Sequence, residues 1–117
     1  MGFAYPHVGP ARPPGFAAVV AFYPYCSSGG YKPITPVLIL IGEADDWAPA
    51  PLCVSMVKKS GGTGGPTIDI KVYPGATHAY DTLQPRTEFQ GHVIEGNPAA
   101  LADSVEQVQT FFGHWLK

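Results

Sequence analysis

The stretch VLILIGEADDWAP, residues 37–49, joins a fully apolar run to a short acidic segment. The apolar run, 37–41, lies between Pro36 and Gly42 and includes no polar side chain. Such a run is typical of a strand that is buried on both faces of a parallel sheet. Catalytic and ligand-binding groups collect beyond the carboxyl ends of parallel strands. The stretch therefore predicts a buried strand with a polar site immediately after it.

Two more strands and two helices are predicted around this strand. FAAVVAFY, residues 16–23, is apolar on both faces, whereas IDIKVY, residues 68–73, alternates as a strand nearer an edge does. Apolar residues at helical spacing predict helices at about 50–59 and 98–116, the second of them capped by Asn97. Because strands alternate with crossovers, the expected fold class is α/β with about three parallel strands.

Two segments are predicted to be irregular. Residues 1–15 contain four prolines, which exclude a helix because proline lacks an amide donor and clashes with the preceding turn. We therefore divide the chain into an irregular arm, 1–15, and a domain portion, 16–117. Thr82–Gly96 is expected to form an irregular excursion that borders the site.

The composition argues against two classes of partner. Only 14% of the residues are Asp, Glu, Lys or Arg and the net charge is −2, so no basic face for nucleic acid is expected. No run of about 18 apolar residues occurs, which argues against a membrane span.

The N-terminus carries no targeting pattern. Met1 is not followed by a basic region and an apolar segment, so we expect no signal peptide. The sequence assigns no localisation.

An acid and a histidine follow two of the predicted strands. Asp45 comes shortly after Gly42, and His78 comes shortly after Tyr73. Adjacent parallel strands lie about 4.8 Å apart, a gap that two side chains bridge. A carboxylate on one imidazole nitrogen fixes the tautomer and stabilises the imidazolium that forms when the other nitrogen takes a proton. Acid followed by histidine is the second half of the nucleophile–acid–histidine order found in α/β-hydrolases.

Three strings in the sequence carry a resemblance to a known family: AFYPYC, LILIGEADDWAPAPLC and VYPGATHAYD. They resemble the dienelactone hydrolase family, and the similarity covers nearly the whole chain. The resemblance implies a partial α/β-hydrolase fold, the C-terminal portion of that domain, with activity on ester or lactone bonds. It also implies that Asp45 is the catalytic acid and that His78 is the catalytic base.

The nucleophile of such a triad is not recognisable. The family places it in a G-x-(S/C)-x-G turn upstream of the strand at 16–23, and no such pattern occurs in the 117 residues. Cys26, Ser27 and Ser28 are weak substitutes, since nothing around them forms the strained strand-to-helix turn. We therefore expect either that the chain is truncated or that its nucleophile comes from elsewhere.

Neighbouring residues have alternative interpretations. Asp45 could instead cap the helix at 50–59, although Asp46 is the better candidate for that role. Trp47 and Tyr80 are expected to pack around the site, in the core or at its rim, in preference to the alternative of stacking on a substrate.

We expect no metal and no cofactor. The other histidines share no metal-ligand spacing and are expected on the surface or in loops: His7, His92 and His114. A metal-dependent hydrolase that uses His78, Asp45 and Asp81 is a further, less favoured alternative.

The two cysteines, Cys26 and Cys53, are expected to be free, buried thiols, since they form no metal-binding spacing with a second pair. A disulfide is the alternative, because both are predicted to follow strand ends on the same side of the sheet.

Two functions of different class remain open. The first is a hydrolase for a small ester or lactone, to which this chain supplies the acid and the histidine. The second is a catalytically silent α/β binding or oligomerisation module that keeps relic site loops. Three strands alone leave the apolar strand at 16–23 with an unpaired edge, which tends to recruit another strand. We therefore expect a homodimer through that edge.

Overall fold

The computed structural model describes residues 3–4, 17–26, 33–60 and 67–116. Within these residues a four-stranded sheet packs a helix against each face. The strands are β1 (Phe3–Ala4), β2 (Val19–Phe22), β3 (Val37–Gly42) and β4 (Ile68–Tyr73). The helices are α1 (Ala50–Ser60) and α2 (Pro98–Trp115).

The sheet has the order β1-β2-β3-β4, in which β2, β3 and β4 run parallel and β1 runs antiparallel to β2. The predicted α/β class with three parallel strands is confirmed. The Asn97 cap of α2 is also observed, since its side chain accepts a hydrogen bond from the Ala100 amide at 3.0 Å. In the part of the chain that the structure describes, neither helix has the length and apolar character needed to cross a membrane.

The centre of the core is β3, all of whose residues are buried. Successive side chains of a strand point to opposite faces of the sheet. Ile39 and Ile41 therefore pack with Met56 of α1, whereas Leu38 and Leu40 pack in the cluster that includes α2. Each of these aliphatic side chains contributes roughly 1.5–3 kcal/mol through burial. The packed sheet is thus a stable base for the loops at its carboxyl edge.

The segment 82–96 is more ordered than its sequence predicts. It contains a hairpin of two short strands, β5 (Thr87–Phe89) and β6 (His92–Ile94). Gln90 and Gly91 connect them with φ angles of 52° and 82°, the left-handed geometry of a tight hairpin turn. The prediction of an irregular excursion is therefore wrong. Strands of three residues are too short for an alternation of apolar and polar side chains to be recognised in the sequence.

The short strand β1 gives the N-terminal arm some regular structure. Phe3 pairs with Ala21, and Ala4 pairs with Val20. The edge of β2 is therefore partly occupied, which corrects the expectation that it is unpaired. The remaining residues of the arm lie outside the described ones, and the boundary between an arm at 1–15 and a domain portion at 16–117 stays a prediction.

Cys26 and Cys53 form a disulfide, with their Cα atoms 5.0 Å apart. The expectation of free thiols is therefore wrong, and the alternative is correct. The bond joins the segment after β2 to the first turn of α1, and both residues belong to the core cluster on the α1 face. The packing of α1 on the sheet brings the two cysteines together. Their spacing along the chain does not reveal this contact.

Reduction of the disulfide is expected to lower the free energy of unfolding by about 3–4 kcal/mol. The reason is that the unfolded chain regains the freedom of a loop closed across 27 residues. Denaturant unfolding with and without dithiothreitol measures the difference. The control is the double variant Cys26→Ser, Cys53→Ser, whose stability should not respond to reductant. Alkylation of two thiols in the native, unreduced chain would contradict the bond.

Gly42 ends β3 where the chain passes close to the loop that follows β4. A Cβ atom at this position would lie 2.2 Å from the backbone oxygen of Ala76. The same oxygen accepts a hydrogen bond from the Ala44 amide at 2.9 Å. The absence of a side chain at Gly42 thus allows the loops after β3 and β4 to meet.

Gly42→Ala is expected to lower the free energy of unfolding by about 1–3 kcal/mol, because the added methyl group must push the Ala76 backbone away. Gly113→Ala is the matched control: it lies in α2, a Cβ added there would meet nothing within 4 Å, and alanine favours a helix by up to about 1 kcal/mol. Thermal or denaturant unfolding compares the two variants. Equal stability of Gly42→Ala and wild type would show that the close approach is not a constraint.

Candidate active site

The site lies at the carboxyl edge of β3 and β4. These strands are adjacent and parallel, with Gly42 opposite Tyr73 at their ends. Two backbone hydrogen bonds continue the pairing beyond the strands, from the Glu43 amide to the Tyr73 oxygen at 2.8 Å and from the Ala44 amide to the Ala76 oxygen at 2.9 Å. The two loops that follow are therefore fixed against each other before either presents a functional side chain.

Asp45 and His78, one from each loop, meet at this edge. Asp45 Oδ2 and His78 Nδ1 are 2.8 Å apart, and the two residues are only 5% and 8% exposed. The second oxygen, Asp45 Oδ1, accepts hydrogen bonds from the amides of Trp47 at 2.9 Å and Ala48 at 2.6 Å. Asp45 therefore organises the turn before α1 with one oxygen and holds the histidine with the other.

Asp46 does not take the helix-capping role for which it was a better candidate than Asp45. Its carboxylate lies toward the β5–β6 hairpin, where it is 3.3 Å from His92 Nδ1 and accepts from the Val93 amide at 3.3 Å. The two successive acids thus have separate tasks, since Asp45 binds the loop after β4 and Asp46 binds the hairpin.

The arrangement suits proton transfer. A carboxylate only accepts hydrogen bonds, so it holds the proton of the imidazole on Nδ1 and leaves Nε2 to exchange a proton with another group. Burial of both partners keeps water from competing for the Asp45–His78 bond. The pair can therefore act as an oriented base toward a group placed at His78 Nε2.

The loop that carries His78 is tied to the hairpin. Thr77 Oγ1 donates to the backbone oxygen of Glu95 at 3.2 Å and accepts from the Glu95 amide at 2.9 Å. An isolated bridge pairs His78 with Ile94. Ala79, next in the chain, has a φ of 57°, a left-handed conformation that is uncommon without glycine. These contacts fix the backbone on both sides of the histidine.

Tyr23 is a site neighbour that the sequence did not single out. Its ring lies 4.5 Å from the His78 ring in an edge-on arrangement, and its hydroxyl donates to Asp81 Oδ1 at 2.9 Å. Burial, followed by the hydrogen bond to Asp81, raises the pKa of Tyr23 above its ordinary value. Tyr23 is therefore a neutral donor at physiological pH. The only sequence signal was its position at the end of a predicted strand.

Trp47 and Tyr80 pack on different sides of the site. The Trp47 ring is partly exposed and lies 5.2 Å from the His78 ring. Tyr80 is fully buried, and its hydroxyl is 2.7 Å from Ser104 Oγ of α2. Trp47 therefore borders the site, whereas Tyr80 anchors the loop in the core beneath it.

His92 is not the simple surface residue that was expected. Its ring stacks on Trp47 with centroids 4.4 Å apart and an angle of 16°. Phe89, its partner across the hairpin, lies 5.9 Å from the same indole ring. His114 is exposed near the end of α2, as expected, and His7 lies outside the described residues.

Of the suggested substitute nucleophiles, the structure describes Cys26 alone. Cys26 is consumed in the disulfide, and Ser27 and Ser28 lie outside the described residues. Among the residues that the structure does describe, no three His, Cys, Asp or Glu side chains form a group that could hold a metal ion. Asp81, named in the metal alternative, instead accepts from Tyr23.

Comparisons with known proteins identify the family of the chain. No curated protein and no solved structure matches the chain. The model of the dienelactone hydrolase family matches residues 1–116, which is almost the entire sequence. The chain therefore belongs to the dienelactone hydrolase family.

Proposed function

We propose that the chain is the acid–histidine part of a hydrolase that acts on ester or lactone bonds. One observation carries the proposal: Asp45 Oδ2 lies 2.8 Å from His78 Nδ1, with both residues buried at the carboxyl ends of adjacent parallel strands. Membership of the family supports the reaction class.

In the proposed reaction, a serine or cysteine nucleophile gives its proton to His78 Nε2 as it attacks the carbonyl carbon. Asp45 stabilises the imidazolium that results. His78 then returns the proton to the leaving oxygen, the carbon–oxygen bond breaks, and an acyl-enzyme remains. In the second half of the reaction water attacks the acyl group and gives a proton to His78; the bond between the acyl group and the nucleophile then breaks, His78 returns the proton to the nucleophile, and the acid is released.

The third member of the triad, the nucleophile, is not identified in this chain. No G-x-S-x-G or G-x-C-x-G pattern occurs in the sequence, and Cys26 is bonded to Cys53. We therefore propose that another segment or another chain completes the triad. The same observation favours the second candidate function, a catalytically silent α/β binding or oligomerisation module in which the Asp45–His78 pair is a relic.

A homodimer through the edge of β2 stays a proposal. Among the residues that the structure describes, β1 pairs with Val20 and Ala21 and so covers part of the edge of this strand. Incomplete pairing of an apolar strand favours the addition of a further strand.

Loss of the histidine distinguishes the two functions. If the chain is the acid–histidine half of an active hydrolase, His78→Ala is expected to lower kcat/KM for a small aryl ester by roughly 10²- to 10⁴-fold, because the proton relay is lost. Asp45→Asn is expected to cause a loss of similar order, since an amide cannot hold the imidazole in the same tautomer. Initial rates of hydrolysis at neutral pH measure both effects.

His114→Ala is the matched control, because this histidine is exposed near the end of α2. Its hydrolysis rate should equal that of wild type, and circular dichroism should show that all three variants fold. The three variants and wild type are assayed together with the segment or chain that supplies the nucleophile, and equal turnover by wild type and His78→Ala under those conditions would overturn the hydrolase proposal and leave the silent module.

A further inference from the structure

A group of three rings extends outward from His78. Trp47 lies 5.2 Å from the His78 ring, and His92 and Phe89 lie 4.4 and 5.9 Å from Trp47. We call Trp47, Phe89 and His92 the aromatic rim. Phe89 and His92 are cross-strand partners in the hairpin, which explains why both rings reach the same indole.

The rim leaves apolar surface exposed next to a buried polar pair. Phe89 is 50% exposed although it packs against Trp47. An exposed large aromatic side chain beside a functional group is more informative than an isolated one elsewhere on a surface. Tyr23, the other ring beside His78, instead packs against buried Tyr80. From the His78 ring, Trp47 therefore leads through the aromatic rim to solvent, whereas Tyr23 leads into the core.

The rim is held in place before any ligand binds. Asp46 contacts both His92 and the Val93 amide at 3.3 Å, which ties the hairpin to the loop that carries Trp47. The same hairpin is bonded through Glu95 to Thr77, beside His78. A surface that is ordered in advance loses little entropy when a ligand binds to it.

The chemistry at His78 decides which part of a substrate meets the rim. In acyl transfer the histidine protonates the leaving oxygen, which must come within about 2.6–3.2 Å of the imidazole nitrogen. The group attached to that oxygen then lies beside the neighbours of His78. Because Trp47 lies beside His78 and leads to the half-exposed Phe89, the rim offers a leaving alcohol an apolar surface next to the imidazole.

The charges around the rim favour an uncharged ligand over an anionic one. Three carboxylates lie close to the rim and to His78. Asp46 contacts His92 of the rim, and Asp45 contacts His78. Asp81 contacts Tyr23, whose ring lies beside His78. Lys71 and Arg86 form their ion pairs with other acids, Asp103 and Glu95. An additional carboxylate on the ligand would therefore be repelled.

We propose that the aromatic rim is the subsite for the leaving group and that it selects a flat, uncharged aryl alcohol. Apolar contact with the half-exposed Phe89 ring and with the partly exposed Trp47 supplies the affinity, and proximity to His78 places the alcohol oxygen for proton transfer. The assignment rests on the proposed hydrolase function, but the rim can be tested by binding alone.

The test uses the full chain labelled with ¹⁵N and titrated with 2-naphthol, which represents the released alcohol. The indole N–H signal of Trp47 is expected to shift and saturate. The signal of Trp115, in α2, serves as the control within the same spectrum. Decahydro-2-naphthol, which has the same ring skeleton without aromatic faces, and 2-naphthoate, which represents an acyl product, should each bind more weakly.

Phe89→Ala is expected to weaken 2-naphthol binding by roughly fivefold, the loss of one aromatic contact. Leu116→Ala removes another exposed apolar side chain, at the end of α2, and should leave the affinity unchanged. The proposal is overturned if Trp47 does not respond, if Phe89→Ala binds as wild type does, or if 2-naphthoate binds more tightly than 2-naphthol. Because this readout needs no turnover, its failure is distinct from equal ester hydrolysis by wild type and His78→Ala, which would overturn the hydrolase function itself.

Discussion

The structure depends on the hydrogen bond between Asp45 Oδ2 and His78 Nδ1, because it joins two loops at a point closed to water. Without this bond, Asp45 Oδ2 and His78 Nδ1 would be buried polar atoms that have lost their partner, and leaving such an atom unpaired costs about 1–3 kcal/mol, more when the group is charged. The contact therefore has to form accurately if the fold is to be stable at this edge. The same hydrogen bond orients the imidazole for proton transfer. The stability of the fold at this edge and the proposed chemistry therefore depend on the same two side chains.

The surrounding fold supports this hydrogen bond through contacts from several elements. The parallel register of β3 and β4 brings both loops to one edge, and Gly42 allows their backbones to approach. Asp45 uses its remaining oxygen on the turn that leads into α1, while the disulfide ties α1 to the segment after β2. The loop of His78 is in turn bonded to the β5–β6 hairpin. The site is thus supported from the sheet, from α1 and from the hairpin, and it does not depend on a single loop.

Local patterns in the sequence predicted the parts of this structure that are local. The apolar run at 37–41 identified β3, helical periodicity identified both helices, and the acid-then-histidine order identified Asp45 and His78 as partners in space. The missed features depend on contacts between distant residues. The disulfide spans 27 residues, and the bond from Asp46 to His92 spans 46, so spacing along the chain contains no signal for either. Tyr23 was overlooked for the same reason, since its contact with His78 exists only after the sheet has formed.

Nuclear magnetic resonance of the imidazole tests most directly whether Asp45 holds the proton of His78 on Nδ1, on which the proposed chemistry depends. We expect a downfield proton signal on Nδ1 of His78 that is protected from exchange with water. In Asp45→Asn this signal should disappear and the ring proton should move to Nε2, because the amide of asparagine donates where the carboxylate accepted. A wild-type His78 that carries its proton on Nε2, or whose Nδ1 proton exchanges freely with water, would contradict this assignment.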